Sequence, residues 1–109
     1  MNYNIIAVPK FSKELKKLAK KYPSLRNDFK DFLENLEINP FQGILIGKNC
    51  FKIRLSIKSK GKGKSGGARV ITTIIVSEKT IFLLAIYDKS EKDTLTDKEL
   101  TELLQSLFD

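Results

Sequence analysis

Lys52, Arg54, Arg69, Tyr87 and Lys89 are the side chains with which this sequence is best equipped to do chemistry. Lys52 and Arg54 alternate with Phe51, Ile53, Leu55 and Ile57 in "CFKIRLSIK", so they share the outer face of a half-buried strand. Arg69 follows Gly66 and Gly67 at the entrance of the next strand, where it is expected as an exposed side chain with little part in the core. Tyr87 and Lys89 flank Asp88 at the end of the last strand. Three antiparallel neighbours would bring these groups together. Arginine offers a phosphate a two-pronged fork, lysine a point charge, and tyrosine a stacking ring or a proton. Such a face suits a phosphodiester backbone. The same alternation equally describes a solvated strand face, and Cys50 reads as a small buried apolar residue.

Charge is distributed unevenly. The 109 residues carry a net +7. Residues 43–77 contain eight Lys or Arg and no acid, whereas residues 78–109 contain four basic residues and eight acids. The basic stretch includes "SIKSKGKGKSGGARV", with Lys58, Lys60, Lys62 and Lys64 among glycines. Together with Lys48, these lysines are candidates for gripping RNA phosphates, the glycines letting the loop conform. A lysine-rich hairpin tip also guards a sheet edge against aggregation, so a protective role stays open. The acid-free face is expected to have no partner of its own within the chain.

Several chemistries are excluded. With no histidine, a histidine general base is impossible. One cysteine and no histidine cannot make a Cys/His zinc site, and one cysteine makes no internal disulfide. No metal site and no cofactor is expected. No apolar run reaches the length of a membrane span, and the N-terminus lacks the form of a signal peptide, so a soluble cytoplasmic protein is expected.

The elements that must hold these residues follow from periodicity. "YNIIAV" reads as a strand. Phe11, Leu15, Leu18 and Tyr22 lie at helical spacing, and Pro23 ends that helix. Ser24 is placed to cap a second helix with Leu25, Phe29, Phe32 and Leu36 buried, ending at Ile38–Pro40. Strands follow in "CFKIRLSIK", "ARVITTIIV" and "TIFLLAIYD". "TDKE", Thr96 to Glu99, is a capping box for a final helix with a stripe of Leu100, Leu103, Leu104 and Leu107, its acids Asp97, Glu99 and Glu102 turned to solvent. The expected fold is α+β: an N-terminal strand, a helical hairpin, a three-stranded antiparallel sheet and a C-terminal helix, with the helices on one face. No repeat or boundary divides residues 1–109, which read as one domain.

The order "CFKIRLSIKSKGKGKSGGARVI … IFLLAIYDKSEKDTLTDKEL" resembles the RelE/ParE superfamily of bacterial toxins, and within it the RelE-like and HigB-like members. The resemblance spans nearly the whole chain, from the opening strand through "FSKELKKLAKKYPS" to the end. It implies a toxin of a type II toxin–antitoxin system that cuts mRNA on the ribosome and is neutralised by an antitoxin, in the HigB-like branch a helix-turn-helix protein. It maps the family's basic pair onto Lys52 and Arg54, its arginine after the hairpin onto Arg69, and its last basic residue onto Lys89. The tyrosine that some members carry in the C-terminal helix has no counterpart in "TDKELTELLQSLFD"; Tyr87 stands earlier. The implied reaction is attack of the RNA 2′-hydroxyl on the adjacent phosphate, with Lys52 as a possible base and Tyr87 or Lys89 as proton donor. A ParE-like gyrase inhibitor and a non-catalytic RNA-binding module are the alternatives.

Overall fold

A computed structural model describes residues 3–61 and 66–108. Strand β1 (Asn4–Ala7) leads to helix α1 (Pro9–Lys21) and helix α2 (Leu25–Ile38). Four further strands follow: β2 (Ile44–Gly47), β3 (Cys50–Leu55), β4 (Ala68–Ile75) and β5 (Thr80–Asp88). Helix α3 (Asp97–Ser106) closes the chain. Pro9 opens α1 at a position where a missing N–H costs nothing. The capping box expected at Thr96 forms: the Thr96 hydroxyl accepts from the Glu99 N–H, and the Glu99 carboxylate accepts from the Thr96 N–H.

The class is α+β as expected, but the sheet is larger. Five strands run in the order β1-β5-β4-β3-β2. β1 lies parallel to β5, so the sheet is mixed, and β2 is a short edge strand with no apolar alternation to announce it. The helices do not share one face. On the first face, Phe11, Leu25, Phe32 and Leu36 of α1 and α2 cover Ile53, Leu55, Val70, Ile81, Leu83 and Ile86. On the second, Leu100 and Leu103 of α3 pack with Cys50, Ile71, Leu84, Ala85 and Tyr87. Burial from both sides explains why β4 and β5 read as nearly unbroken apolar runs.

One irregularity positions the site. Along β5 the register passes from Leu83 opposite Thr72 to Ala85 opposite Ile71, leaving Leu84 without a partner. This extra residue is a β-bulge, and it reverses which face each later side chain meets. Ile81 and Leu83 therefore belong to the first core, as does Ile86, while Ala85 and Tyr87 belong to the second. Without the bulge, Tyr87 would point at the helical hairpin.

Ser24 does not cap α2 with its side chain. Its hydroxyl donates instead to the Asp28 carboxylate (2.7 Å) and accepts from the Ser59 N–H (2.8 Å). Asp28 also accepts from the Lys58 N–H (3.0 Å). The first turn of the lysine loop is thus stapled to the start of α2. At the other end of the loop, Gly67 lies so close to β3 that an added Cβ would collide with the Leu55 carbonyl oxygen. Both the obstacle and the residue are backbone, so neither can yield cheaply. Gly67→Ala is expected to lose about 1–3 kcal/mol of stability, the range for overpacking. Urea denaturation checks this, and an unchanged midpoint would refute it. Among the described residues, no helix is long and apolar enough to cross a membrane.

Candidate active site

The register aligns the chemistry. In the β3–β4 ladder Arg54 stands opposite Arg69, and in the β4–β5 ladder Arg69 stands opposite Tyr87. Paired residues share a face, so the three form one row across the sheet, and Lys52 lies two residues from Arg54 on the same side. Lys52, Arg54 and Arg69 line one cleft of about 410 Å³, walled by Gln42, Gly43 and Ile44 from the approach to β2.

Arg69 is not the exposed side chain expected at a strand entrance. It is only 2% exposed, because Tyr87 and Arg54 flank it and α3 lies on its face of the sheet. Its Nη1 donates to the Ala68 carbonyl (3.2 Å). Burial strengthens its field in the cleft, since little water screens it.

Nor is the face without an internal acid. Asp93, in the segment between β5 and α3, belongs to the cleft. Its Oδ1 lies 3.3 Å from Arg69 Nε, and its Oδ2 lies 3.8 Å from Lys52 Nζ. Its backbone carbonyl accepts from Lys52 Nζ (3.0 Å) and from the Tyr87 hydroxyl (3.2 Å). Burial raises the Tyr87 phenol to about 12, reinforced by the Asp93 charge and opposed by Arg69. Tyr87 therefore holds its proton at neutral pH. Asp93 escaped the reading of the sequence. Its only signal was an acid-rich "SEKD" tethered directly behind the strand that carries Tyr87.

The family model of the RelE toxin of the RelE/RelB toxin–antitoxin system matches residues 11–107. The chain belongs to the RelE toxin family. Its fold is also that of solved RelE structures. A mutant of the E. coli toxin RelE in the free state matches with a TM-score of 0.64 at 17% identity, over 97% of this chain and 98% of that one. The toxin of the intact E. coli RelBE toxin–antitoxin complex matches with a TM-score of 0.60 at 21% identity, over 79% of this chain and 95% of the other. An archaeal RelE–RelB complex from Pyrococcus horikoshii gives a TM-score of 0.56 at 19% identity, over 84% and 100%.

The other candidates are dispersed over this RelE-family fold. Lys89 is exposed on the turn after β5, where its N–H donates to the Gly67 carbonyl (3.0 Å). That bond ties Lys89 to the strand entrance that carries Arg69. Lys58 is exposed and shares a second, smaller cleft with Arg54, where Asp28 and Asp31 of α2 stand opposite them. Lys60 does not face solvent. Its side chain is 8% exposed, and its ammonium meets the buried Asp88 carboxylate at 2.6 Å. Asp88 also accepts from the Tyr22 hydroxyl (2.6 Å) and from Ser90 (2.9 Å to both N and Oγ). Burial raises the Asp88 carboxyl, but bonds from Lys60, Tyr22 and Ser90 outweigh it and hold it well below the usual carboxylate range. Lys48 sits in the β2–β3 turn, beside Thr101, Leu104, Gln105 and Phe108 of α3 and the residues after it, at the opposite end of β3 from Arg54. Lys62 and Lys64 lie outside the described residues.

The acids of helix α3 lie toward solvent as expected: Asp97 and Glu102 are exposed and Glu99 is partly so. Glu99 and Glu102 also line, with Glu14, Glu91 and Tyr87, an open cleft of about 480 Å³. Glu99 is held by Lys92 at 2.6 Å, and this bond, with that from the Thr96 N–H, pulls its carboxyl down to about 2.

Proposed function

We propose that this chain is a ribosome-dependent mRNA endoribonuclease, acting in the cytoplasm as a single toxin domain of a type II toxin–antitoxin system. The observation that carries the reading is the cross-strand row of Arg54, Arg69 and Tyr87 beside Lys52. Cleavage of RNA by its own 2′-hydroxyl needs alignment, charge neutralisation at the phosphorane, and two proton transfers. Arg69 and Arg54 suit the clamp, because guanidinium forks match phosphate oxygens. Lys52 adds a third positive charge. Tyr87 suits the donor role because it stays protonated, and Lys89 is the second candidate.

The ribosome would supply what the open cleft lacks, a fixed path for the message. Lys58, with Lys62 and Lys64, would hold rRNA or mRNA phosphates, in a manner that weakens steeply with salt. A cognate antitoxin is the natural partner, since the E. coli and Pyrococcus horikoshii relatives are seen in complex with RelB. An antitoxin of the helix-turn-helix type would also serve if it brought carboxylates to the basic face.

The test is induction of the chain in bacteria followed by mapping of mRNA 5′ ends. Cuts in translated messages, with upstream fragments ending in a 2′,3′-cyclic phosphate or 3′-phosphate, are expected. Upstream fragments ending in a 3′-hydroxyl would refute the mechanism. Intact mRNA with an SOS response would replace it by gyrase inhibition.

A further inference from the structure

Attack by a 2′-hydroxyl requires an atom to take the hydroxyl proton, and the chain has no histidine. The charged groups lining the cleft are Lys52, Arg54, Arg69 and Asp93. Guanidinium groups keep their protons at any working pH. Lys52 meets Asp93 as a donor, through its contacts at 3.0 and 3.8 Å. Tyr87 also donates to Asp93. Among the described residues that line the cleft, Asp93 alone carries a carboxylate. Its backbone is pinned by Lys52 and Tyr87, while its side chain is 61% exposed and leaves lone pairs open to a ligand. It stands 3.3 Å from the Arg69 guanidinium, the group best placed to hold the scissile phosphate.

We infer that Asp93 is the general base of this cleft, accepting the 2′-hydroxyl proton of a ribonucleotide whose phosphate is held by Arg69. This assignment rests on the endoribonuclease reading. Asp93 takes the O2′ proton, O2′ forms a bond to phosphorus, and the bond from phosphorus to O5′ breaks. The leaving O5′ takes the phenolic proton of Tyr87, because an alkoxide is a far stronger base than a phenolate. The products are a 2′,3′-cyclic phosphate and a 5′-hydroxyl. The proton gained by Asp93 and the one lost by Tyr87 are exchanged through solvent, so the enzyme returns to its starting state. The charged and titratable groups around Asp93 are Lys52 and Arg54 from β3, Arg69 from β4 and Tyr87 from β5. From α3, Glu99 is engaged by Lys92 and Thr96.

The competing role for an acid among cations is neutralisation: Asp93 would fill the phosphate seat until RNA displaced it. The two roles predict opposite signs for Asp93→Asn. Single-turnover cleavage of mRNA on programmed ribosomes, followed across about pH 6–9, separates them. The wild-type rate should vary far less with pH than that of a variant lacking the base. Asp93→Asn should cleave about 10²–10⁴-fold more slowly, the usual contribution of a positioned base. Its residual rate should climb about tenfold per pH unit as hydroxide takes over. Its affinity for a short RNA should be unchanged or tighter, and Asp93→Glu should regain part of the rate. An Asn variant that cleaves at or above the wild-type rate, or that is slow with a flat pH profile, would overturn the assignment. Failure of the endoribonuclease reading is a different result: the wild-type protein itself would leave the message intact.

Discussion

Arg69→Gln is expected to lower the single-turnover cleavage rate by about 10²–10³-fold and to abolish growth inhibition. Arg69 stands between Arg54 and Tyr87 in the row, and its side chain, 3% exposed, lines the wall of the cleft. A fixed cation in a poorly solvated position neutralises a phosphorane without waiting for solvent to reorganise. Glutamine keeps much of the volume and a donor but removes the charge. Alanine is the poorer probe, because a side chain 2% exposed leaves a hole in the sheet face when truncated. Arg69→Lys restores a charge without the fork, so it should recover only part of the loss. Cleavage rate and melting temperature should be measured on the same preparations. A Gln variant that remains fully toxic with an unchanged melting temperature would show that the clamp lies elsewhere.

Asp88→Asn is expected to cost about 3–5 kcal/mol of stability. Asp88 is 1% exposed at the end of β5, where it receives the Lys60 ammonium, the Tyr22 hydroxyl and both donors of Ser90. Asparagine leaves the Lys60 charge without its counter-ion. It also loosens the joint between the end of α1, the lysine loop and the Lys89 turn. Replacing Lys60 by Met in the same variant should restore much of the stability, since the uncompensated charge is then gone. The pH dependence has a definite sign. The folded-state pKa of Asp88 is depressed, so the stability it contributes is present above about pH 4, where the unfolded carboxylate ionises. It is lost as pH falls toward the lower folded value. The difference between wild type and Asp88→Asn should therefore shrink below about pH 4. Urea midpoints measured from neutral to acid pH check both claims, and a gap that widened on acidification would contradict the pairing.

Much of the architecture was legible because it is local. The leucine and phenylalanine spacing in α1, α2 and α3 marks a buried stripe through helical geometry alone, and the Thr96–Glu99 capping box needs only four residues. The alternation of "CFKIRL" put Lys52 and Arg54 on one face for the same reason: successive strand side chains point opposite ways. Residue types also determined that no histidine chemistry exists here.

What the tertiary structure decided is which of these groups meet, and which charges are already spent. The bulge at Leu84 turns Tyr87 toward Arg69, yet nothing in "IFLLAIYD" distinguishes a bulged leucine from a regular one. The edge strand β2 is too short and too weakly patterned to declare itself, and it forms because β3 offers it a free ladder. Lys60 looked like its neighbours in a run of loop lysines, but the fold seats it on Asp88, 28 residues away. Asp93 looked like one more surface acid, but the turn after β5 brings it over Lys52 and Arg69. A side chain's face within one element is set by backbone periodicity over a few residues. Its electrostatic partner is set by strand order and loop closure, which bring distant residues within a few ångströms, where Coulomb attraction and burial act together.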